Sequence, residues 1–341
     1  SNTWGYDYVN GRLNFRLDLS GGQKLDLASS IIFVESKAID GRVIFSLKDH
    51  REEGVDRDAK IELAVSATRA DAASKYLYLP DGPNIKQNVR STMNYLNEAI
   101  LQGDITRGGI LYRGSTLPDA ASYEKTFQSY FVLSNTDFRF SDEWPVVTEL
   151  SGTVITDDNN IDIKVDSGSS LGIGIQNVIG KIEKDGLGNN LLQLKGDLNA
   201  ETSIGLHYLQ EIPVNDGFTG AVSNWEARGD FHGSLDLNVP LDFVNSAAEI
   251  RLDLSLENNS LTIPDYSLIF DNLSGPIVYD TETGLERTQL SGKLFNQEIN
   301  LSLDSESSGD RIQRIFVSVE GKASKEQLVE WPKQSPFVRS I

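Results

Sequence analysis

The chain has 341 residues, 39% of them hydrophobic and 24% charged, a balance that belongs to globular and not to disordered proteins. Its 50 acidic side chains against 31 basic ones leave a net charge of −19, which excludes a nucleic-acid backbone as partner and argues against adsorption of the body onto an anionic membrane face. The lack of cysteine rules out a disulfide framework, a thiolate metal site and a Cys nucleophile, and no stretch approaches the ~18 apolar residues that a spanning helix needs.

Period-two alternation dominates from the start. No basic-then-apolar leader precedes it, and the chain is expected to be an internal piece of a longer protein. Leu13, Phe15, Leu17 and Leu19 stand on one face of a strand with polar residues between them. The pattern returns in Ile161, Ile163 and Val165, in Leu171, Ile173 and Ile175, and in Leu235 and Leu237. It continues in Leu252, Leu254 and Leu256, and in Ile299, Leu301 and Leu303. Turn-forming Gly, Asp and Asn clusters separate these segments, as in Asp157–Asn160 and Asp185–Gly188, so antiparallel meanders are expected. One helix is predicted over 85–101, where Val89, Met93, Leu96 and Ile100 recur at helical spacing and Gly103 stands past the end as a cap. A second, short helix is predicted after Ser324, with Gln327 completing a capping box and Pro332 ending it.

A recurrence about 120–130 residues long overlies this pattern. Ile61–Val65 leads to Tyr76–Leu79 and Pro80; Leu191–Leu194 leads to Tyr208 and Pro213; Ile315–Val319 leads to Trp331 and Pro332. Gly114 corresponds to Gly233, Leu150–Val154 to Leu273–Ile277, and Gly180 to Gly292. The expected units are 1–80, truncated at its start, 81–213 with the inserted helix, and 214–341.

Motifs for chemistry are weak. Gly168–Gly172 spells a nucleophile elbow, but the sequence continues as a strand where that motif needs a strand-to-helix turn. His50, His207 and His232 lack metal-ligand spacing and fit surface or strand positions. The Asp157–Asp162 cluster lacks the loop glycine and distal Glu of an EF-hand, so Asx turns explain it without calcium. No cofactor, metal or catalytic residue is expected. Composition and periodicity leave two readings of the apolar stripe open: a dry sandwich core, or the lining of an open groove that needs a ligand.

The order of markers carries a resemblance. Tyr78-Leu79-Pro80, then Met93, Tyr95, Leu96 and Gly103, Ile110–Gly114, Phe138–Phe140, Trp144-Pro145 and Leu150–Gly152 follow one another, with Gly229–Leu235 and Leu273–Gly275 repeating part of the set. This order resembles the AsmA-like superfamily of Gram-negative envelope proteins, and within it the YhdP type. The resemblance implies a bridge-like lipid transfer protein tethered in the inner membrane and reaching across the periplasm toward the outer membrane. It implies a long β-groove with an apolar interior that takes phospholipid acyl chains, without catalytic residues. The groove lining would be the apolar strand positions named above. The expected fold is therefore all-β: an elongated, twisted antiparallel repeat sheet curved into a groove, monomeric, with one inserted helix and a short C-terminal one. The rival functions are a structural or adhesive β-repeat surface protein with a dry core, and a carbohydrate-active β-solenoid enzyme using paired carboxylates.

Overall fold

A computed structural model describes residues 6–19, 23–50, 59–77, 97–115, 121–139, 142, 144–158, 160–211, 222–241, 248–308 and 311–334. Among the described residues twenty strands make one antiparallel sheet, and no ladder there closes it on itself. The all-β class and the antiparallel pairing read from the alternation are what the chain adopts. Clustering of the backbone divides it into two compact units: residues 1–140 with 148–166, and residues 141–147 with 167–341.

The first unit is a meander. It contains β1 (Tyr8–Asn10), β2 (Leu13–Asp18), β3 (Lys24–Ser29), β4 (Ile32–Glu35), β5 (Ile39–His50), β6 (Ala59–Asp71), β7 (Ile100–Ser115), β8 (Lys125–Phe138), β9 (Val147–Asp157) and most of β10 (Asn160–Ser170). Ladders run β2–β3–β5–β6–β7–β8, while β4 takes the remaining length of β5 and β1 pairs with β4. The second unit continues with β11 (Ile173–Lys184), β12 (Asn190–Glu201), β13 (Glu226–Arg228), β14 (Asp230–Pro240), β15 (Glu249–Ile263), β16 (Leu268–Asp280), β17 (Gly284–Leu285), β18 (Thr288–Leu294), β19 (Gln297–Ser308) and β20 (Arg311–Gly321). Its ladders run β11–β12–β14–β15–β16–β18–β19–β20, with β13 on β15 and β17 on β16. Most steps join neighbours in sequence, and β3–β5, β12–β14 and β16–β18 each pass over one short strand, as short connections allow for antiparallel strands.

Among the described residues, two helices pack on the second unit: α1 (Thr202–Glu211) and α2 (Lys325–Gln334). The capping box read at Ser324 is formed, since the Ser324 N–H donates to Gln327 Oε1 at 2.8 Å and the Gln327 N–H donates to Ser324 Oγ at 3.2 Å. Pro332 does not end α2, which runs two residues further. The helix predicted over 85–101 lies mostly outside the described residues; 97–99 are helical, but Ile100, Leu101 and Gly103 belong to β7. Gly103 is therefore not a helix cap, and its φ of 133° serves a strand. Helix α1 is unforeseen. Its ten residues include Gly205, Thr202 and Ile204, all poor or middling helix formers, so tertiary contacts hold it.

The recurrence has a structural counterpart. Strand β6 runs into a 3-10 turn at Ala72–Leu77, β12 into α1, and β20 toward α2. Helices α1 and α2 begin at 202 and 325 and end at 211 and 334, displaced by the same 123 positions at both ends. Positive-φ residues inside strands recur at that displacement, Asn135 with Asn258 and Glu149 with Asn272. The N–H of Asn135 donates to Ser151 Oγ at 3.4 Å, and that of Asn258 donates to Ser274 Oγ at 2.9 Å. These are β-bulges, which bend a strand locally and leave an amide for a side chain to satisfy.

Beside the second bulge, Asn259 is 1% exposed and ties α1 to the sheet. Its Oδ1 accepts from Thr202 Oγ1 at 2.5 Å, and its Nδ2 donates to the carbonyls of Asp230 at 2.9 Å and Glu257 at 3.3 Å. Gly229 permits this approach. A Cβ there would lie 2.5 Å from Asn259 Oδ1, and the residue has φ of 102°. Asn259→Ala is expected to lower the unfolding free energy by about 2–3 kcal/mol, because three part-buried hydrogen bonds are lost together. Urea denaturation followed by circular dichroism measures this, and a change under ~0.5 kcal/mol would show that α1 is not anchored here.

Candidate functional site

Directly opposed residues in an antiparallel pair share a face, so the registers trace which side chains stand together. In the first unit Phe15 opposes Leu27, Leu27 opposes Leu47, and Leu47 opposes Ile61. One step along, Phe45, Leu63, Tyr112 and Phe127 follow one another across four strands. Next come Val43, Val65 and Ile110. The opposite face reads Ser46, Glu62 and Arg113 over the same strands, with Arg113 Nε 3.1 Å from Glu62 Oε1. Overlapping rows thus keep one face largely apolar over six strands of the ladder, with Asp49 and Lys125 on it at the strand ends.

The second unit repeats the arrangement in rows. Ala200, Phe231, Leu256 and Gly275 form one, and Leu290, Leu301 and Val319 stand level with it across β16 and β18. Below it lie Leu198, Gly233, Leu254 and Ile277, with Thr288, Leu303 and Val317 on the later strands. A third row holds Gly196, Leu235, Leu252 and Tyr279, and a fourth Leu194, Leu237 and Ile250. Gly233 is needed where it stands, because a Cβ would drive into the Asp253 carbonyl of the adjacent strand.

What covers this face differs between the units. Among the described residues of the first, the fully buried hydrophobic side chains are five alanines and Val165. Leu47, Ile61, Leu63, Val65 and Ile110 are all half-buried, and Phe15 is 74% exposed. In the second unit a closed cluster forms from Ile173, Phe231, Leu256, Ile263, Phe270, Leu273, Leu290, Ile299 and Leu301, with Ile204 and Tyr208 of α1 packed on it. Burial raises the Tyr208 hydroxyl pKa above its ordinary value, partly offset by its hydrogen bond with Ser170, 3.4 Å away.

The eighteen positions expected to line a groove therefore divide. Leu13, Phe15 and Leu17 are exposed on β2, with Phe15 and Leu17 opposite Leu27 and Leu25; Leu19 lies just past that strand, also exposed. Ile161, Ile163, Ile175, Leu235, Leu237, Leu252, Leu254 and Leu303 are half-buried. Val165, Ile173, Leu256, Ile299 and Leu301 are buried in packing. Leu171 is not in a strand. With Gly172 it makes the two-residue turn from β10 to β11, both at positive φ, as Phe295 and Asn296 do between β18 and β19. That turn also disposes of the elbow spelling around Ser170, since a strand follows it and not a helix. Alternation alone missed Leu47, Leu63, Val65 and Ile110, although Ile39–Leu47 and Ile61–Val65 carry the same period-two signal.

The polar side groups are engaged in structural pairs. Asp157 Oδ1 accepts from Gln128 Nε2 at 2.9 Å and Asp158 Oδ1 from the Phe127 N–H at 2.8 Å, so the suspected calcium cluster is an Asx-type turn fastened to β8. His50 lies 2.8 Å from Asp26, His207 sits in α1 and not in a strand, and His232 is in β14. A shallow concavity on the polar face is bordered by Asp197 and Asp253. Asp197 accepts from Asn177 Nδ2 at 2.9 Å, and both oxygens of Asp253 accept from Arg251 at 3.1 Å. Those bonds, with Glu286 foremost, hold the Arg251 pKa above its ordinary value. The Asp185 carboxyl is lowered by hydrogen bonds from the Asn189 backbone and side chain. No group of three potential metal ligands stands together among the described residues, and no described helix is long and apolar enough to cross a membrane.

The chain is 23% identical over 317 residues to the intermembrane phospholipid transporter YhdP of Escherichia coli strain K12. That alignment covers 92% of the chain and 23% of the relative's length. No solved structure matches. The model of the YhdP protein family matches residues 7–338, so that nearly the whole chain, strands and helices together, belongs to the YhdP family.

Proposed function

We propose that this chain is a length of a phospholipid conduit, carrying acyl chains along the apolar face between inner and outer membranes across the periplasm. The observation that carries this is the apolar face of the first unit, continuous over six strands and with none of its large side chains fully buried among the described residues. A palmitoyl-length chain exposed to water costs on the order of 10 kcal/mol, at ~0.8 kcal/mol per methylene, so a carrier must stay apolar along the whole path. The role needs no chemistry, and the two carboxylates bordering the concavity, Asp253 and Asp197, are held by Arg251 and Asn177. The name of the related transporter supports the same cargo. In this proposal 1–80, 81–213 and 214–341 are successive lengths of the conduit, acting as a monomer. Contact with either membrane belongs to parts of a longer protein.

Photoreactive benzoylphenylalanine at Leu63 or Ile163 is expected to crosslink phospholipid in cells, whereas the same group at Lys60, exposed on the polar face, is not. Mass spectrometry of the adducts identifies the lipid. Absence of lipid at both apolar positions, with the protein folded, would sink the conduit and leave the β-repeat surface protein as the better reading.

A further inference from the structure

Within the second unit, β20 is the counterpart of β12 and lacks what β12 has. Each leads into one of the two helices that stand 123 positions apart. Strand β12 is paired along both edges, with β11 on one side and β14 on the other. Among the described residues β20 pairs with β19 alone. Its second edge presents a row of backbone donors and acceptors that another strand could take.

Side-chain exposure differs in the same way. On β12, Leu194 and Gly196 are half-buried, whereas Val317 and Val319 at the matching positions of β20 are 45% and 39% exposed. On α1, Gly205 and Leu206 are half-buried, and β14 comes so close that a Cβ at 205 would meet the Phe231 ring at 2.9 Å. The matching residues of α2, Leu328 and Val329, are 55% and 50% exposed. The helix is nonetheless docked. Gln327 Nε2 donates to the Phe295 carbonyl at 2.8 Å, and Trp331 Nε1 donates to that of Tyr266 at 2.7 Å. Four apolar side chains and a strand edge are thus uncovered together, at the places that β14 covers one repeat earlier.

We propose that this edge and helix side take one further strand of the same polypeptide, at positions 353–363 of a longer protein, as β12 and α1 take β14. The proposal rests on reading the chain as one length of a longer conduit; the alignment reaches only 23% of the related transporter. The span is that of β14 (Asp230–Pro240) displaced by the same 123 positions. Copying the β12–β14 register sets position 358 opposite Val319 and position 360 opposite Val317. Leu328 fills the space that Gly205 leaves to Phe231, so position 354 should carry a side chain smaller than phenylalanine. A lipid surface would cover Leu328 and Val329 but would leave the β20 backbone groups unpaired, and a strand satisfies both.

Hydrogen exchange in the full-length protein tests this. The β20 amides that do not face β19 are expected to exchange at least ~100-fold more slowly in wild type than in a variant with positions 353–363 replaced by glycine and serine. The amides of β11 and β12 should exchange alike in both, which reports an intact fold. Equal exchange in β20 would overturn the proposal. If the replacement unfolds the protein, cysteine pairs decide. A short bismaleimide is expected to join Val319→Cys to a cysteine at 358 and not to one at 353, five residues and so ~17 Å along the strand. No link at 358, or equal yields at both, would overturn it, and a link between two copies through Val319→Cys would assign the edge to a second copy instead. Lipid adducts at Leu63 report the conduit separately. Adducts without protection of β20 sink only the added strand, and protection without adducts sinks only the conduit.

Discussion

Leu63→Asp is expected to stop lipid passage while leaving the protein folded. Leu63 stands between Phe45 and Tyr112 in a row that crosses four strands, half-buried and without a covering layer among the described residues. In the free protein, water reaches a carboxylate there, so the fold loses little. When an acyl chain lies over the row, that water is displaced and the charge is left without a partner, which costs several kcal/mol. Each 1.4 kcal/mol is a factor of ten in occupancy, so transfer between donor and acceptor vesicles, or complementation in cells, should fall at least ~100-fold. Lys60→Asp, on the polar face three residues away, should leave transfer within about twofold of wild type. If both variants transfer lipid normally, the row is not the path.

Phe270→Ala is expected to destabilise the second unit by about 3–5 kcal/mol, the range for truncating a buried aromatic side chain. Phe270 is 1% exposed in the cluster with Leu273, Leu290 and Ile299. The cavity cannot collapse readily, because the strands on either side are fixed by their ladders. Phe15→Ala should change stability by less than ~0.5 kcal/mol, since Phe15 is 74% exposed. Chemical denaturation of the two variants separates structural apolar residues from those free to meet a ligand. Similar losses at both would mean that Phe15 is covered by a contact outside the described residues.

The pair of predictions shows why one periodic pattern held two kinds of residue. A period of two says that Leu252, Leu254 and Leu256 share a face, and they do. It carries no information on what lies above that face. Leu256 is closed over by the cluster beneath α1, while Leu254 and Leu252 stay half-open. Helix α1 itself was not legible, because Gly205 and the β-branched Thr202 and Ile204 dilute its signal; Gly205 is there because a Cβ would meet the Phe231 ring at 2.9 Å. The boundary at Ile100 failed for a related reason. The apolar spacing ending at Ile100 and Leu101 fits a helix as well as the start of a strand, and the ladder of β7 with β8, which begins at Ile100 opposite Phe138, decides it.

The sequence by itself determined the strands, the antiparallel pairing, the capping box of α2, the recurrence and the family, since each rests on local chemistry or on the order of residues along the chain. Alternation sets which side chains share a face, and turn residues set where strands reverse. Only the tertiary structure decided which part of the apolar face is filled by packing and which remains open, and where bulges and turns interrupt its strands. Those properties depend on register and on the docking of α1 through Thr202 and Asn259, contacts between residues 57 positions apart that no local pattern encodes.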